Sequence, residues 1–204
     1  FKTGDKIWST PAVDGDKVYV GSFDRWLYAV DASSGKEIWK FKTEGAIVGS
    51  PKLWNHNVYV GSFDNHLYVL DAENGNKKWD YEMGDWLWSS PVIDNGIIYI
   101  GCFDHKLYAI DAVSGSEIWE FSTGDAVRCS PTVTDGLVAI ASEDDKVYVL
   151  NADSGIPEHQ LSLEASALPP PYARDGVLYI HTQEHKLHAV KLASGVERWS
   201  ISTK

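Results

Sequence analysis

A 40-residue period runs through the whole chain without slippage, and this repeat is the feature that most constrains the fold. An acidic residue recurs at Asp24, Asp64, Asp104, Asp144 and Glu184. An aliphatic residue recurs at Leu27, Leu67, Leu107, Val147 and Leu187, and a glycine at Gly35, Gly75, Gly115, Gly155 and Gly195. A tryptophan recurs at Trp39, Trp79, Trp119 and Trp199, with His159 in its place in the fourth repeat, and a proline at Pro11, Pro51, Pro91, Pro131 and Pro171. Repeats near 40 residues are typical of propellers and of some helical arrays.

The local pattern within a repeat decides between these two folds. One repeat reads IVGSPKLW, NHN, VYVGSFD, NH, LYVLDA, ENGN, KKWDYEM. These are four runs rich in Val, Ile, Tyr and Trp, separated by short Asn, Asp and Gly turns, which is typical of antiparallel strands joined as hairpins. The sequence therefore predicts an all-β fold, a β-propeller of five four-stranded antiparallel blades. We expect one domain over 1–204, with blades at about 7–44, 45–84, 85–124, 125–164 and 165–204.

The recurring residues have structural tasks in such a fold. The acidic residue opens the turn between the second and third strands, where its carboxylate can accept a backbone hydrogen bond. The glycine allows a positive φ in the following turn. The tryptophan of the fourth strand is large enough to pack on an adjacent blade. Because they recur in every blade, these residues are predicted to be structural and not catalytic.

The segments AVDASSGKEIW, VLDAENGNKKW and AIDAVSGSEIW, at 29–39, 69–79 and 109–119, resemble the tryptophan-docking motif of the PQQ-like propeller repeats. The resemblance extends over essentially the whole chain and implies the propeller fold. The same superfamily contains quinoprotein alcohol dehydrogenases and many propellers that bind no quinone. It therefore does not by itself imply a function.

Quinoprotein dehydrogenases of this superfamily bind pyrroloquinoline quinone (PQQ) and Ca²⁺ and usually carry two adjacent cysteines. In this chain the cysteines, Cys102 and Cys129, are far apart, and no long insertion interrupts the repeats. Nucleophile, zinc-protease and phosphate-loop motifs are also absent from the sequence. We therefore expect no catalytic residues, no metal site and no cofactor. The alternative is a PQQ- and calcium-dependent dehydrogenase or another propeller that binds a small ligand.

Charge excludes some partners. The chain has 18 basic and 29 acidic residues, a net charge of −11, whereas nucleic-acid and anionic-membrane binders need a basic face. No apolar run reaches the length of a membrane span, and no signal-peptide pattern occurs. The sequence begins at Phe1 without an initiator Met, which favours processing or a longer parent protein. By resemblance we expect an extracytoplasmic location, periplasmic, cell-surface or secreted.

Candidate binding residues lie where the blades differ on one expected face of the propeller. This face combines the loop that leads into each innermost strand with the turn between the second and third strands. The leading loops carry Trp8, Val48, Trp88, Arg128 and Leu168 in one slot and Trp86 in another. The turns carry Arg25, Trp26, His66 and His105. Trp and Arg are enriched in binding hot spots. We predict that Trp8, Arg25, Trp26, His66, Trp86, Trp88, His105 and Arg128 bind a protein, peptide or glycan; the alternative is that Trp8 and Trp88 only fill the channel.

Ring closure is left open by the sequence. The segment Phe1–Gly4 matches the end of a fourth strand, and the last repeat supplies its own fourth strand. Five complete blades therefore form either a closed ring or part of a larger propeller.

Overall fold

The computed structural model describes residues 1–167 and 169–203 and folds them into twenty β-strands in five sheets. Each sheet contains four consecutive antiparallel strands in chain order, which is one propeller blade. The predicted all-β propeller of five four-stranded blades is confirmed. No helix long and apolar enough to cross a membrane occurs in these residues.

The strands of each blade follow the repeat. The first blade contains β1 (Ala12–Asp14), β2 (Lys17–Gly21), β3 (Trp26–Asp31) and β4 (Glu37–Lys42), and the second β5 (Lys52–Trp54), β6 (Asn57–Gly61), β7 (His66–Asp71) and β8 (Lys77–Glu82). The third contains β9 (Val92–Asp94), β10 (Ile97–Cys102), β11 (Lys106–Asp111) and β12 (Glu117–Ser122), and the fourth β13 (Thr132–Thr134), β14 (Leu137–Ser142), β15 (Lys146–Asn151) and β16 (Pro157–Ser162). The fifth contains β17 (Tyr172–Arg174), β18 (Val177–His181), β19 (Lys186–Lys191) and β20 (Glu197–Ser202).

The chain divides into two compact units, Phe1–Ile93 and Asp94–Lys204. The first contains the first two blades and the leading loop of the third, and the second contains the rest of the third blade with the fourth and fifth. Each unit has its own buried clusters of aliphatic and aromatic side chains. That residues 1–204 form one domain stays a prediction.

Burial along the strands explains their composition. The second and third strands are buried on both faces, so β6 and β7 read as continuous runs of Val, Tyr and Leu. The fourth strand is outermost and alternates exposed residues with partly buried ones, as β4 does around the buried Trp39. A bulge shifts the register between the third and fourth strands at the same position in all five blades.

The recurring carboxylate does more than open its turn. Asp64 Oδ1 accepts from the His66 N–H at 3.3 Å, as predicted. Asp64 Oδ2 accepts from the Tyr68 hydroxyl at 2.9 Å and from the Glu44 N–H at 2.7 Å. Glu44 belongs to the segment that leaves the first blade, so this carboxylate connects two blades. Asp24 and Asp144 make the equivalent bonds to Gly4 and Gly124.

The docking tryptophans pack as predicted where both blades belong to one unit. The Trp39 indole N–H donates to the carbonyl of Ala72 at 3.1 Å, and its ring lies so close to Gly75 that a Cβ there would come within 2.6 Å. Trp119 repeats the arrangement on Ala152 and Gly155. All five recurring glycines have a positive φ, between 67° and 73°. By contrast, Trp199 is 42% exposed, and all the other residues of β20 are exposed as well.

The innermost strands are shorter than the apolar runs of the sequence indicate. The run IVGSPKLW contributes only β5, three residues long, because Pro51 lacks the N–H of a ladder hydrogen bond and the residues before it form a loop. Likewise Pro169, Pro170 and Pro171 precede β17 and lie outside it.

The fourth blade has His159 in the docking position. Its ring lies against Gly195, where a Cβ would come within 2.7 Å of the imidazole, but its Nε2 has no hydrogen-bond partner among the described residues. Burial lowers the pKa of His159 below its ordinary value of 6.5, against a smaller opposing effect of Glu158. This site is therefore a weaker version of the tryptophan dock.

We expect His159→Trp to raise the free energy of unfolding by about 1–2 kcal/mol, because an indole buries more apolar area and adds a donor. A His whose folded pKa is lowered stabilises fully above its unfolded pKa and loses that contribution as the pH falls below it. The gain should therefore be larger at about pH 5.5 than at about pH 7.5 in urea denaturation. An equal gain at both pH values would contradict a neutral, buried His159.

Candidate functional site

The expected binding face is formed by two sets of loops that hydrogen-bond to each other. In the first unit, the Phe63 N–H donates to the Ala46 carbonyl at 2.9 Å, and the Leu87 N–H donates to the Ser62 carbonyl at 3.3 Å. These bonds join the turn of the second blade to the loops that lead into the second and third blades. In the second unit, Glu143 donates to Ala126 in the same way. The leading loops and the turns thus share one face within each unit.

An aromatic cluster lies on this face of the first unit. We define it as Trp8, Phe63, Trp86 and Trp88. The rings of Trp8 and Trp88 meet edge to face with centroids 6.5 Å apart. Phe63 stacks on Trp86 at 5.1 Å with an interplanar angle of 11°, and it contacts Trp88 at 5.4 Å. Side chains from the leading loops of the first and third blades therefore form one continuous aromatic surface with the turn of the second.

The aromatic cluster is only partly covered. Trp8 is 64% exposed and Trp86 is 49% exposed, whereas Phe63 and Trp88 are half-buried beneath them. Val48, which occupies the same slot as Trp8 and Trp88, is buried. Filling the channel explains the half-buried rings of Phe63 and Trp88, but it does not explain two indoles of which about half or more is exposed.

Phe63 was missed by the sequence analysis. It belongs to the repeated phrase GSFD, with Phe23 and Phe103 in the same slot, and therefore looks structural. Its stacking on Trp86 depends on the indole that the third blade alone places two residues before its leading-loop slot. The only signal in the sequence was the coincidence of a repeated Phe with a non-repeated Trp in the neighbouring blade.

Three predicted residues of the first unit have other contacts. Arg25 is exposed at the turn with φ 73°, and its carbonyl accepts from the Thr43 N–H at 2.9 Å. Trp26 lies under the ammonium group of Lys40, which is 5.2 Å from its ring. His66 Nδ1 is 3.0 Å from Asp80 Oδ2. Trp26 and His66 therefore contact side chains of the outer strand of their own blade.

Electrostatics support a structural role for His66. The Lys77 ammonium group, and after it His66, hold the pKa of the Asp80 carboxyl below its ordinary value. The imidazole also stacks on Tyr68 at 5.5 Å. His66 therefore lies beside the Lys77–Asp80 ion pair of the outer strand of the second blade.

The remaining predicted residues belong to the second unit. His105 has φ 70° and lies 3.8 Å from Asp125 Oδ1 through its Nε2. Arg128 is exposed on the leading loop of the fourth blade, next to the buried thiol of Cys129. Burial raises the pKa of Cys129 to about 11, so this thiol is not activated as a nucleophile. Leu168, in the slot of Arg128, lies outside the described residues.

The residues do not fit the quinone and calcium site of the dehydrogenases. Ca²⁺ needs six to eight oxygen ligands, mostly carboxylates and carbonyls. The described residues contain no group of three or more His, Cys, Asp or Glu side chains that could hold a metal ion. Cys102 and Cys129 are not adjacent. The predicted lack of a cofactor stays a prediction.

Comparison with protein-family models identifies the family of this chain. The family model described as outer membrane protein assembly factor BamB matches residues 2–86 and 83–204, nearly the whole chain. The chain belongs to this family. BamB-family blades are PQQ-like repeats, so the resemblance based on the docking motif is confirmed. Among curated proteins, no sequence matches significantly.

Solved structures share the fold at low sequence identity. BamB from Moraxella catarrhalis superposes with a TM-score of 0.88 at 18% identity, over 100% of this chain and 66% of that one. A quinohemoprotein alcohol dehydrogenase from Pseudomonas putida superposes with a TM-score of 0.85 at 18% sequence identity, and the match covers 100% of this chain and 43% of that one. The computationally designed protein Ika8 superposes with a TM-score of 0.85 at 14% sequence identity, and the match covers 95% of this chain and 61% of that one. This BamB-family chain thus spans about two thirds or less of the length of these proteins, and the likeness shows the fold alone.

Proposed function

We propose that this BamB-family chain is a non-catalytic binding module that docks an apolar segment of a protein partner on its aromatic cluster. The single observation that carries the proposal is the continuous surface of Trp8, Phe63, Trp86 and Trp88, in which the indoles of Trp8 and Trp86 are 64% and 49% exposed. Large exposed aromatic side chains over a packed base are typical of the centre of a protein interface.

The family supports a protein partner over a glycan, since the family description is of a factor in the assembly of outer membrane proteins. The same description supports an extracytoplasmic location, and we propose one for this chain. A net charge of −11 disfavours nucleic acid as the partner. The poor fit of the residues to a calcium site argues against the alternative, a PQQ-dependent dehydrogenase.

The test uses peptides selected from a random phage-displayed library on the wild-type chain. We expect the selected peptides to contain apolar or aromatic residues and to bind the double variant Trp8→Ser/Trp86→Ser at least about tenfold more weakly. Fluorescence anisotropy of labelled synthetic peptides measures the affinity.

Trp26→Ser is the matched control, because Trp26 is also a non-motif tryptophan but contacts Lys40 of its own blade. Its affinity for the peptides should match that of the wild type. Equal binding by the wild type and the double variant would exclude the aromatic cluster as the docking site.

A further inference from the structure

Asparagine followed by glycine occurs twice in the sequence, at Asn74–Gly75 and at Asn95–Gly96. Such a pair can modify itself, because the glycine nitrogen can attack the side-chain carbonyl of the asparagine with no Cβ in its way. Ammonia leaves and a succinimide ring forms, which water opens to aspartate or to isoaspartate. Both asparagines are exposed and lie in turns, so exposure does not distinguish the two pairs, whereas hydrogen bonding does.

Asn74–Gly75 is held by hydrogen bonds and by packing. The Gly75 N–H, whose nitrogen would be the nucleophile, donates to the Asp71 carbonyl at 2.9 Å. The Asn74 N–H donates to Asp71 Oδ1 at 3.2 Å, and the Asn74 Oδ1 accepts from the Asn76 N–H at 2.9 Å. The ring of Trp39 lies against Gly75, so this glycine cannot move without disturbing the contact between the two blades. The structure therefore protects Asn74.

Asn95–Gly96 is much less restrained. These two residues form the turn between β9 and β10, with φ 48° and 79°. The Gly96 carbonyl accepts from the Ala112 N–H at 2.9 Å, but no described residue accepts a hydrogen bond from the Gly96 N–H. The Asn95 amide donates to Asp94 Oδ2 at 3.0 Å, and because Asp94 is itself exposed, water can replace this bond. The nucleophile is therefore free, and the side chain can reorient towards it.

The fold accommodates only one of the two products. The fourth and fifth blades have Asp135–Gly136 and Asp175–Gly176 in the same turn, with φ between 51° and 73°. Aspartate in place of Asn95 therefore suits the turn. In isoaspartate the main chain runs through the side-chain carboxyl and gains a methylene group, which does not fit a two-residue turn between paired strands. The longer turn also moves the Gly96 carbonyl away from the N–H of the buried Ala112.

We propose that Asn95 deamidates spontaneously in the folded chain and that its isoaspartyl product loosens the third blade. The bond between Asn95 Cγ and Nδ2 breaks, a bond between Gly96 N and Asn95 Cγ forms, and the Gly96 amide proton leaves with the ammonia. A water molecule then opens the ring, so the net change replaces an amide with a carboxyl group and involves no oxidation or reduction. This modification is independent of the proposed binding function.

Incubation of the folded chain in mildly alkaline buffer tests the site, with peptide mapping by mass spectrometry to follow both pairs. We expect Asn95 to deamidate at least about tenfold faster than Asn74, because the hydrogen bond of the Gly75 N–H must break before Asn74 can react. The chain unfolded in urea is the control, and there the two rates should be similar because neither turn persists. Equal rates in the folded chain, a faster reaction at Asn74 or no reaction at Asn95 would overturn the proposal.

Asn95→Asp separates the altered main chain from the loss of the amide. This variant should melt within about 2 °C of the wild type, because two other blades have aspartate in this position. Wild-type chain that carries isoaspartate, identified by labelling with an isoaspartyl methyltransferase, should melt about 3 °C or more below the unmodified chain. The proposal would be wrong if the isoaspartyl chain melted with the unmodified chain, or if Asn95→Asp melted as low as the isoaspartyl chain.

Discussion

Trp39→Ala is expected to destabilise the first unit by about 3–5 kcal/mol, the largest effect of any single substitution considered for this chain. The substitution removes an indole that is 9% exposed, together with its hydrogen bond to the Ala72 carbonyl and its packing on Gly75. Because the cavity that remains lies between two blades, the neighbouring glycine has no side chain that could fill it. Urea denaturation followed by circular dichroism measures the loss.

Trp199→Ala provides a control in the same repeat position. Trp199 is 42% exposed and contacts Tyr179 of its own blade at 6.2 Å, so its loss should cost less than about 1 kcal/mol. Hydrogen exchange should show faster exchange for Trp39→Ala throughout the first two blades. Similar losses for both variants would mean that the indole acts within its own blade and not by docking on the next.

Asp64→Ala should cost about 2–4 kcal/mol, the second largest effect. The carboxylate accepts hydrogen bonds from the Tyr68 hydroxyl and from the N–H groups of Glu44, Gly45 and His66. Alanine leaves these donors without their partner, and some of them are removed from water. Thermal unfolding of the variant beside the wild type measures the effect.

Glu184→Ala is the control for this prediction, because Glu184 has the same slot but is exposed, and the blade carries His188 in place of the tyrosine. It should change the free energy of unfolding by less than about 0.5 kcal/mol.

The recurring carboxylate also makes the stability of the chain depend on pH. Burial raises the pKa of Asp24, but hydrogen bonds from Tyr28, Gly4 and Trp26 outweigh this effect and lower the pKa below its ordinary value of 3.8. The stabilisation from Asp24 is therefore fully present above about pH 3.8 and is lost as the pH falls further. A variant of Asp64 as stable as the wild type would show that these bonds are replaced by water.

The repeat predicted the parts of the fold that every blade must build alike. Gly75 needs its positive φ because the Trp39 ring lies against it, and Asp64 needs its carboxylate because several donors converge there. Such demands recur every 40 residues, so comparing the chain with itself reveals them without a structure.

The candidate sites were less predictable because they depend on differences between blades. Slot position placed Trp8, Trp86 and Trp88 together on the leading loops, but it did not indicate side-chain direction. Trp26 belongs to the expected binding face by slot and is instead covered by Lys40.

The two inter-blade contacts differ in direction along the chain, and this has a consequence for synthesis on the ribosome. When Asp64 leaves the ribosome, its partner Glu44 has already been synthesised. Trp39, by contrast, can dock only after Ala72, 33 residues later, has been synthesised. At about 5–20 residues per second, the newly made first and third blades therefore leave the indoles of Trp39 and Trp119 exposed for roughly 2–7 s. During that interval the nascent chain presents one apolar surface, always at its newest blade, where a chaperone could bind and be displaced by the next repeat.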